Sequence, residues 1–161
     1  MTLLMKEYGD ILLLLAILIP ASVIDFRKKI IPNCFPVLLF CCGTAYDGIR
    51  CIFWDSSWGR TFLRAAFGLA AAAAICAICR AIVHEGIGMG DIKLLLALGW
   101  YQGLEGILGS MLLTSLLALL TAAVLLVSRK MERSTRMPFA PYLTAGAAAA
   151  EILLQRGGGW S

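Results

Sequence analysis

The chain has 161 residues, of which 60% are hydrophobic and only 15% charged. A soluble domain usually carries about 45–50% apolar and about 25% charged residues, so too little polar surface is present to coat an ordinary soluble core. The same balance excludes disorder, collagen-like repeats and nucleic-acid-binding arms, and the expectation is one all-α integral-membrane domain over residues 1–161 with no nucleic-acid partner.

A helix needs about 20 apolar residues to cross the hydrocarbon core. The first apolar run covers residues 11–24 and extends back to Leu3 across Lys6, Glu7 and Asp10. A cleaved signal peptide would need a strongly basic start and a small-x-small cleavage site, and neither is clear here. The second run covers about 32–54, with Asp47 and Arg50 near its far end, and the Ala-rich third about 62–83. The fourth starts after Asp91 and reaches only Gln102. At about 16 Å it is too short to span, unless the bilayer thins, the segment tilts or the chain forms a re-entrant hairpin. The fifth run covers about 104–127 and the sixth about 139–154. The expectation is about six transmembrane helices. Gly68, Gly99, Gly103, Gly106 and Gly109 should let them approach closely.

The net charge is +4, but in a membrane protein the position of each Lys and Arg matters more than the sum. Arg27, Lys28 and Lys29 follow the first run, Arg80 and Lys93 flank the gap after the third, and Arg129, Lys130, Arg133 and Arg136 follow the fifth. Most of the fourteen basic residues thus share one face. The positive-inside rule makes that face cytoplasmic and both termini external. All six cysteines (Cys34, Cys41, Cys42, Cys51, Cys76 and Cys79) sit in or beside apolar runs and read as small apolar filling. His84 is the only histidine, and the Cys76–Cys79 pair has no second pair to complete a metal site, so no metal is assigned.

The remaining polar residues gather in three places on the basic face. Asp25 ends the first helix and is followed by the basic run and Ile31-Pro32-Asn33. Gly86, Gly88 and Gly90 lead into Asp91 and Lys93 at the mouth of the fourth. Pro138, Phe139, Pro141 and Tyr142 open the sixth. Two crossings separate Asp25 from Asp91, so both can lie at one depth. A carboxylate in a membrane is costly and usually faces protein or water for a functional reason. Two that face each other cannot both ionise cheaply, so they share a proton, and one can act as base while the other acts as acid. Aspartic proteases use this arrangement to activate water.

Blander readings exist for each residue. Asp25 could pair with its basic neighbours, and Asp91 is well placed to be the N-cap of the fourth helix. Pro138 and Pro141 suit a helix start, and Phe139 and Tyr142 suit an interface; otherwise this segment shapes a cleft beside the dyad. Lys93 either anchors its helix at the headgroups or biases the charge on Asp91. Gly88 and Gly90 leave an adaptable backbone along which a substrate strand could lie, so Val at position 90 is expected to obstruct substrate at little cost in packing. Paired membrane carboxylates also mark proton relays, which makes a small proton-coupled transporter or channel subunit the alternative function.

The three motifs give the chain a family likeness. Asp25 with Ile31-Pro32-Asn33, Gly88-Met-Gly-Asp91-Ile-Lys93 and Met137-Pro-Phe139-Ala-Pro141-Tyr-Leu143 resemble those of the type IV prepilin peptidases, membrane aspartyl proteases of the Gly-x-Gly-Asp type. The resemblance implies that Asp25 and Asp91 are the catalytic pair; Gly88, Gly90, Lys93, Pro138 and Phe139 are the candidate substrate-binding residues beside it. It also implies a pilin-like precursor as substrate, cut at the cytoplasmic face between a short basic leader and its hydrophobic helix. Larger family members carry an additional N-terminal portion with paired Cys-x-x-Cys motifs and N-methylate the new terminus. Here the first helix leads straight to Asp25, so the likeness is to the short form and no cofactor, S-adenosylmethionine included, is expected.

Overall fold

A computed structural model describes residues 2–28, 30–53, 57–82, 88–127 and 139–156. Every element among them is an α-helix: α1 (Thr2–Lys28), α2 (Cys34–Phe53), α3 (Trp58–Ile82), α4 (Met89–Val127) and α5 (Ala140–Arg156). Four helices contain stretches long and apolar enough to cross a membrane: Gly9–Lys28, Cys34–Ile52, Trp58–Ile82 and Met89–Leu125. The shorter apolar stretch Ala140–Leu154 lies in α5. Large apolar side chains such as Leu12, Phe67, Leu112 and Leu119 are more than half exposed, as a lipid-facing surface requires. The protein is an all-α, multi-pass membrane protein.

The fourth helix is broken. Gly103 has φ 73° and ψ −173°, a left-handed conformation that glycine adopts without a Cβ penalty. Contacts on either side show what the break does. Tyr101 donates from its hydroxyl to the Asp10 carbonyl (2.8 Å), and Lys93 meets Asn33 just beyond the end of α1, so residues 89–102 run antiparallel to α1. Helix α5 is also antiparallel to α1, because the Ala140 N–H reaches Asp25 while Thr144 reaches the Leu18 carbonyl. Residues 104–127, however, run antiparallel to α5, with Gly109 against Ala150 and both Ser110 and Thr114 against Gly146. The chain therefore reverses at Gly103. Ser110 Oγ donates to Gln102 Oε1 at 2.6 Å, a contact that a straight helix would hold about 12 Å apart along its axis. The break falls where the sequence separates the fourth run from the fifth. The first arm, residues 89–102, is about 21 Å long, shorter than a hydrocarbon core of about 30 Å.

Small residues set the helix spacing. On α3, Ala65, Gly68, Ala72 and Cys76 form the buried stripe. A Cβ at Gly68 would strike the Gly99 carbonyl, and one at Gly99 would lie 2.8 Å from the Ala72 methyl. Close backbone contact of this kind drives helix association where hydrophobicity cannot. Leu14, Leu18, Leu94, Leu98, Ile107 and Leu143 fill the centre of the bundle and are essentially inaccessible. Helix α1 turns Leu14, Leu18, Ala21 and Asp25 inward along one stripe at helical spacing, which carries the Asp25 carboxylate into the protein.

Candidate active site

Three chain segments converge at one end of the bundle: the C-terminal turns of α1, the start of α4 and the start of α5. Asp25 is 5% exposed, and its Oδ2 accepts a hydrogen bond of 3.0 Å from the backbone N–H of Ala140. Asp91 is partly buried and interacts electrostatically with Asp25 across the same space. The two carboxylates thus share one site, although α2 and α3 lie between them in sequence.

Asp91 is not the N-cap of its helix. The helix begins at Met89, and the Ile92 N–H donates to the Gly88 carbonyl at 3.2 Å, which makes Gly88 the cap position. Asp91 stands three residues on and takes a hydrogen bond from the Gly88 backbone. This is half of a capping box, in which the third helical residue reaches back to the cap N–H. Gly88 suits the arrangement because a Cβ there would lie 3.1 Å from Asp91 Oδ2. Local capping therefore orients the carboxylate, and the negative charge sits at the favourable end of the helix dipole.

Gly90 is packed more closely than expected. A Cβ at this position would lie 3.1 Å from the Ile31 Cβ and 3.2 Å from the Ile31 carbonyl oxygen. The missing side chain makes room for the α1–α2 connection, so a side chain here carries a packing cost. One turn on, Lys93 Nζ donates to Asn33 Oδ1 at 3.0 Å. Ile31 and Asn33 together dock the connection onto the start of α4. Phe139 is half-buried and packs against the central core beside Ala140. Pro138, Gly86, His84 and the cluster Arg129, Lys130, Arg133 and Arg136 lie outside the described residues.

At the opposite end, about 22 Å along α1 from Asp25, lies a second polar cluster that the sequence reading did not assemble. Asp10, Tyr46, Asp47, Arg50, Arg64, Tyr101 and Glu151 line a small cavity there, one or more from every helix. Arg64 makes an ion pair with Asp47 (3.2 Å) and donates to the Tyr101 carbonyl (3.4 Å), close to the break at Gly103. Gln102 donates to the Ala147 carbonyl (3.1 Å) and to Glu151 Oε2 (3.0 Å) while accepting from Ser110. A broken helix leaves backbone groups unpaired, and at membrane depth neighbouring helices must satisfy them. The signal was a carboxylate, Glu151, inside an otherwise apolar run.

Among the described residues no group of three or more His, Cys, Asp or Glu is placed to hold a metal. Paired carboxylates that share a proton can take a proton from water and give one to a carbonyl oxygen.

A family model, the type IV leader peptidase family, matches residues 12–125. A prepilin leader peptidase/N-methyltransferase of Bacillus subtilis is 30% identical over 138 residues, covering 86% of this chain and 53% of that protein. One of Stutzerimonas stutzeri is 30% identical over 140 residues, covering 85% and 47%. One of Xanthomonas campestris pv. campestris is 46% identical over 59 residues, covering 37% and 21%. The chain spans about half the length of the curated relatives it matches along most of its own length. No solved structure matches. With the match running from α1 almost to the end of α4, the chain belongs to the type IV leader peptidase family.

Proposed function

We propose that this protein is an intramembrane aspartyl endopeptidase that removes the short basic leader of pilin-like precursors, with Asp25 and Asp91 as its catalytic pair. The observation that carries the reading is the convergence of the two carboxylates at one end of the bundle, one buried and oriented by the backbone, the other partly buried. Family membership and relatives named prepilin leader peptidase support the substrate class.

The dyad works by acid–base catalysis. The ionised carboxylate takes a proton from water as the water oxygen bonds to the scissile carbonyl carbon. The protonated carboxyl gives its proton to the carbonyl oxygen, so a neutral diol forms. On collapse the C–N bond breaks. The amine nitrogen takes the proton held by the first aspartate, a diol proton returns to the second, and the dyad is restored. The products are a leader ending in a carboxylic acid and a protein with a new amino terminus.

The active end faces the cytoplasm in this reading. Arg27, Lys28 and Lys93 lie at that end, and cytoplasmic flanks of membrane helices are enriched in Lys and Arg. A pilin-like precursor inserted with its leader inside would then present its cleavage point at the depth of the dyad.

The test is co-expression with a precursor that carries a short basic leader ending in Gly before a hydrophobic helix. Mass spectrometry should find the leader lost at that junction. Intact precursor beside properly inserted peptidase, across several such substrates, would overturn the assignment.

A further inference from the structure

The third sequence motif contributes neither a carboxylate nor a cation to the dyad, yet its backbone touches one member directly. The first turn of a helix has N–H groups without intrahelical partners. In α5 the first backbone bond inside the helix runs from the Leu143 N–H to the Phe139 carbonyl (3.1 Å), so the unpartnered positions are 140, 141 and 142. Residue 141 is proline and has no N–H. Of the two remaining donors, that of Ala140 goes to Asp25 Oδ2 at 3.0 Å. Both ends of this bond are buried, Asp25 being 5% and Ala140 1% exposed. The turn is clamped against α1 from one helical turn further in, because Thr144 Oγ1 reaches both the Leu18 carbonyl (3.3 Å) and the Ala140 carbonyl (2.8 Å).

We infer that Ala140 is a positioning residue, whose backbone N–H, at the start of α5, holds one oxygen of the Asp25 carboxylate and leaves the other for proton exchange with water and Asp91. The inference rests on the dyad reading above. A hydrogen bond from backbone to carboxylate is charge-assisted and directional, so it fixes the rotation of the carboxylate as well as its place. The motif Phe139-Ala140-Pro141-Tyr142 acquires a physical reading. Phe139 anchors the turn in the core, Ala140 is small enough for α5 to close on α1, and Pro141 cannot compete with it as a donor.

The bond can be removed at a position suited to the change. Proline is favoured at the first residue of a helix, and the extended conformation it imposes on Phe139 is the usual one for a cap residue. Ala140→Pro replaces the N–H by a methylene facing Asp25. Ala140→Gly keeps the N–H and serves as the conservative control. An amide-to-ester replacement of the linkage between residues 139 and 140 removes the N–H without added bulk, and decides the matter if Ala140→Pro fails to insert. Cleavage of a pilin-like precursor is measured in proteoliposomes with equal amounts of folded enzyme. The expectation is a fall in kcat of at least about tenfold, with KM nearly unchanged, in the variants lacking the N–H, and near wild-type kcat in Ala140→Gly. Wild-type kcat in the ester variant, with Asp25→Asn inactive in the same assay, overturns the inference and leaves the dyad reading standing. An active Asp25→Asn overturns the dyad reading itself.

Discussion

Lys93 Nζ lies 3.0 Å from Asn33 Oδ1, which ties the connection after the Asp25 helix to the helix that carries Asp91. The two residues belong to different sequence motifs, and the bond gives them one shared task. Lys93 stands two residues beyond Asp91, so a shift of its helix relative to the connection would also shift the carboxylate.

This coupling is measurable. Lys93→Ala and Asn33→Ala should each lower cleavage about three- to tenfold, and the double variant should be little worse than either. Residues that share one interaction give non-additive losses. Fully additive losses in a double-mutant cycle would show that the two residues act separately.

Gly90 should matter for packing. A valine there would drive its Cβ into Ile31, and overpacking of this kind typically costs about 1–3 kcal/mol. Gly90→Val should therefore lower membrane abundance and cleavage in parallel. Adding Ile31→Gly should recover part of both, because the nearest atom, at 3.1 Å, is the Ile31 Cβ, which alanine would retain. Normal abundance with selective loss of cleavage would instead restore the view that Gly90 keeps the substrate path open.

Arg64 supports the far end. Its ion pair with Asp47 is mostly buried, with side-chain exposures of 25% and 15%, and it also serves the Tyr101 carbonyl beside the helix reversal. Among the described residues, Arg64→Ala leaves Asp47 with Arg50 as its nearby guanidinium. Removing one partner of a buried pair is strongly destabilising, and partial exposure reduces the expected loss here to about 2 kcal/mol. Thermal unfolding in detergent should show a lower midpoint for Arg64→Ala and a smaller fall for Arg64→Lys. An unchanged midpoint in both would mean that the cluster does not hold the bundle together.

The topology follows from the basic residues and the direction of each helix. Single cysteines at positions 28 and 133, in a background cleared of native cysteines, should label from the cytoplasm. Cysteines at 58 and 158 should label from outside. Labelling of 28 and 133 from opposite faces would contradict the convergence of the end of α1 and the start of α5 on one side.

Much of this architecture was legible because apolar runs and their punctuation are local signals. The boundary between the fourth and fifth runs was readable where the short apolar stretch ends at Gln102, but Gly103 read as a close-packing glycine, and its positive φ became visible only in the structure. The convergence of Asp25 and Asp91 followed from counting crossings. The Ala140 donor was not legible, because a backbone N–H leaves no mark in side-chain chemistry. The close packing at Gly90 was not legible for a related reason: its neighbour Ile31 comes from a distant segment, and a lone glycine does not reveal what approaches it. Glu151 was visible as a carboxylate in an apolar run, but its partner Gln102 could be found only once α5 had packed against the broken helix.

In the proposed mechanism Asp25 and Asp91 together carry out peptide hydrolysis. Asn is nearly isosteric with Asp and keeps hydrogen-bonding capacity, so Asp25→Asn and Asp91→Asn should insert normally while losing the acid–base function. The direct measurement is the rate of leader removal from a pilin-like precursor, with membrane abundance read in the same samples. Wild-type abundance with no detectable cleavage is expected in either variant. Substantial cleavage by either one, at normal abundance, would remove that aspartate from the catalytic pair.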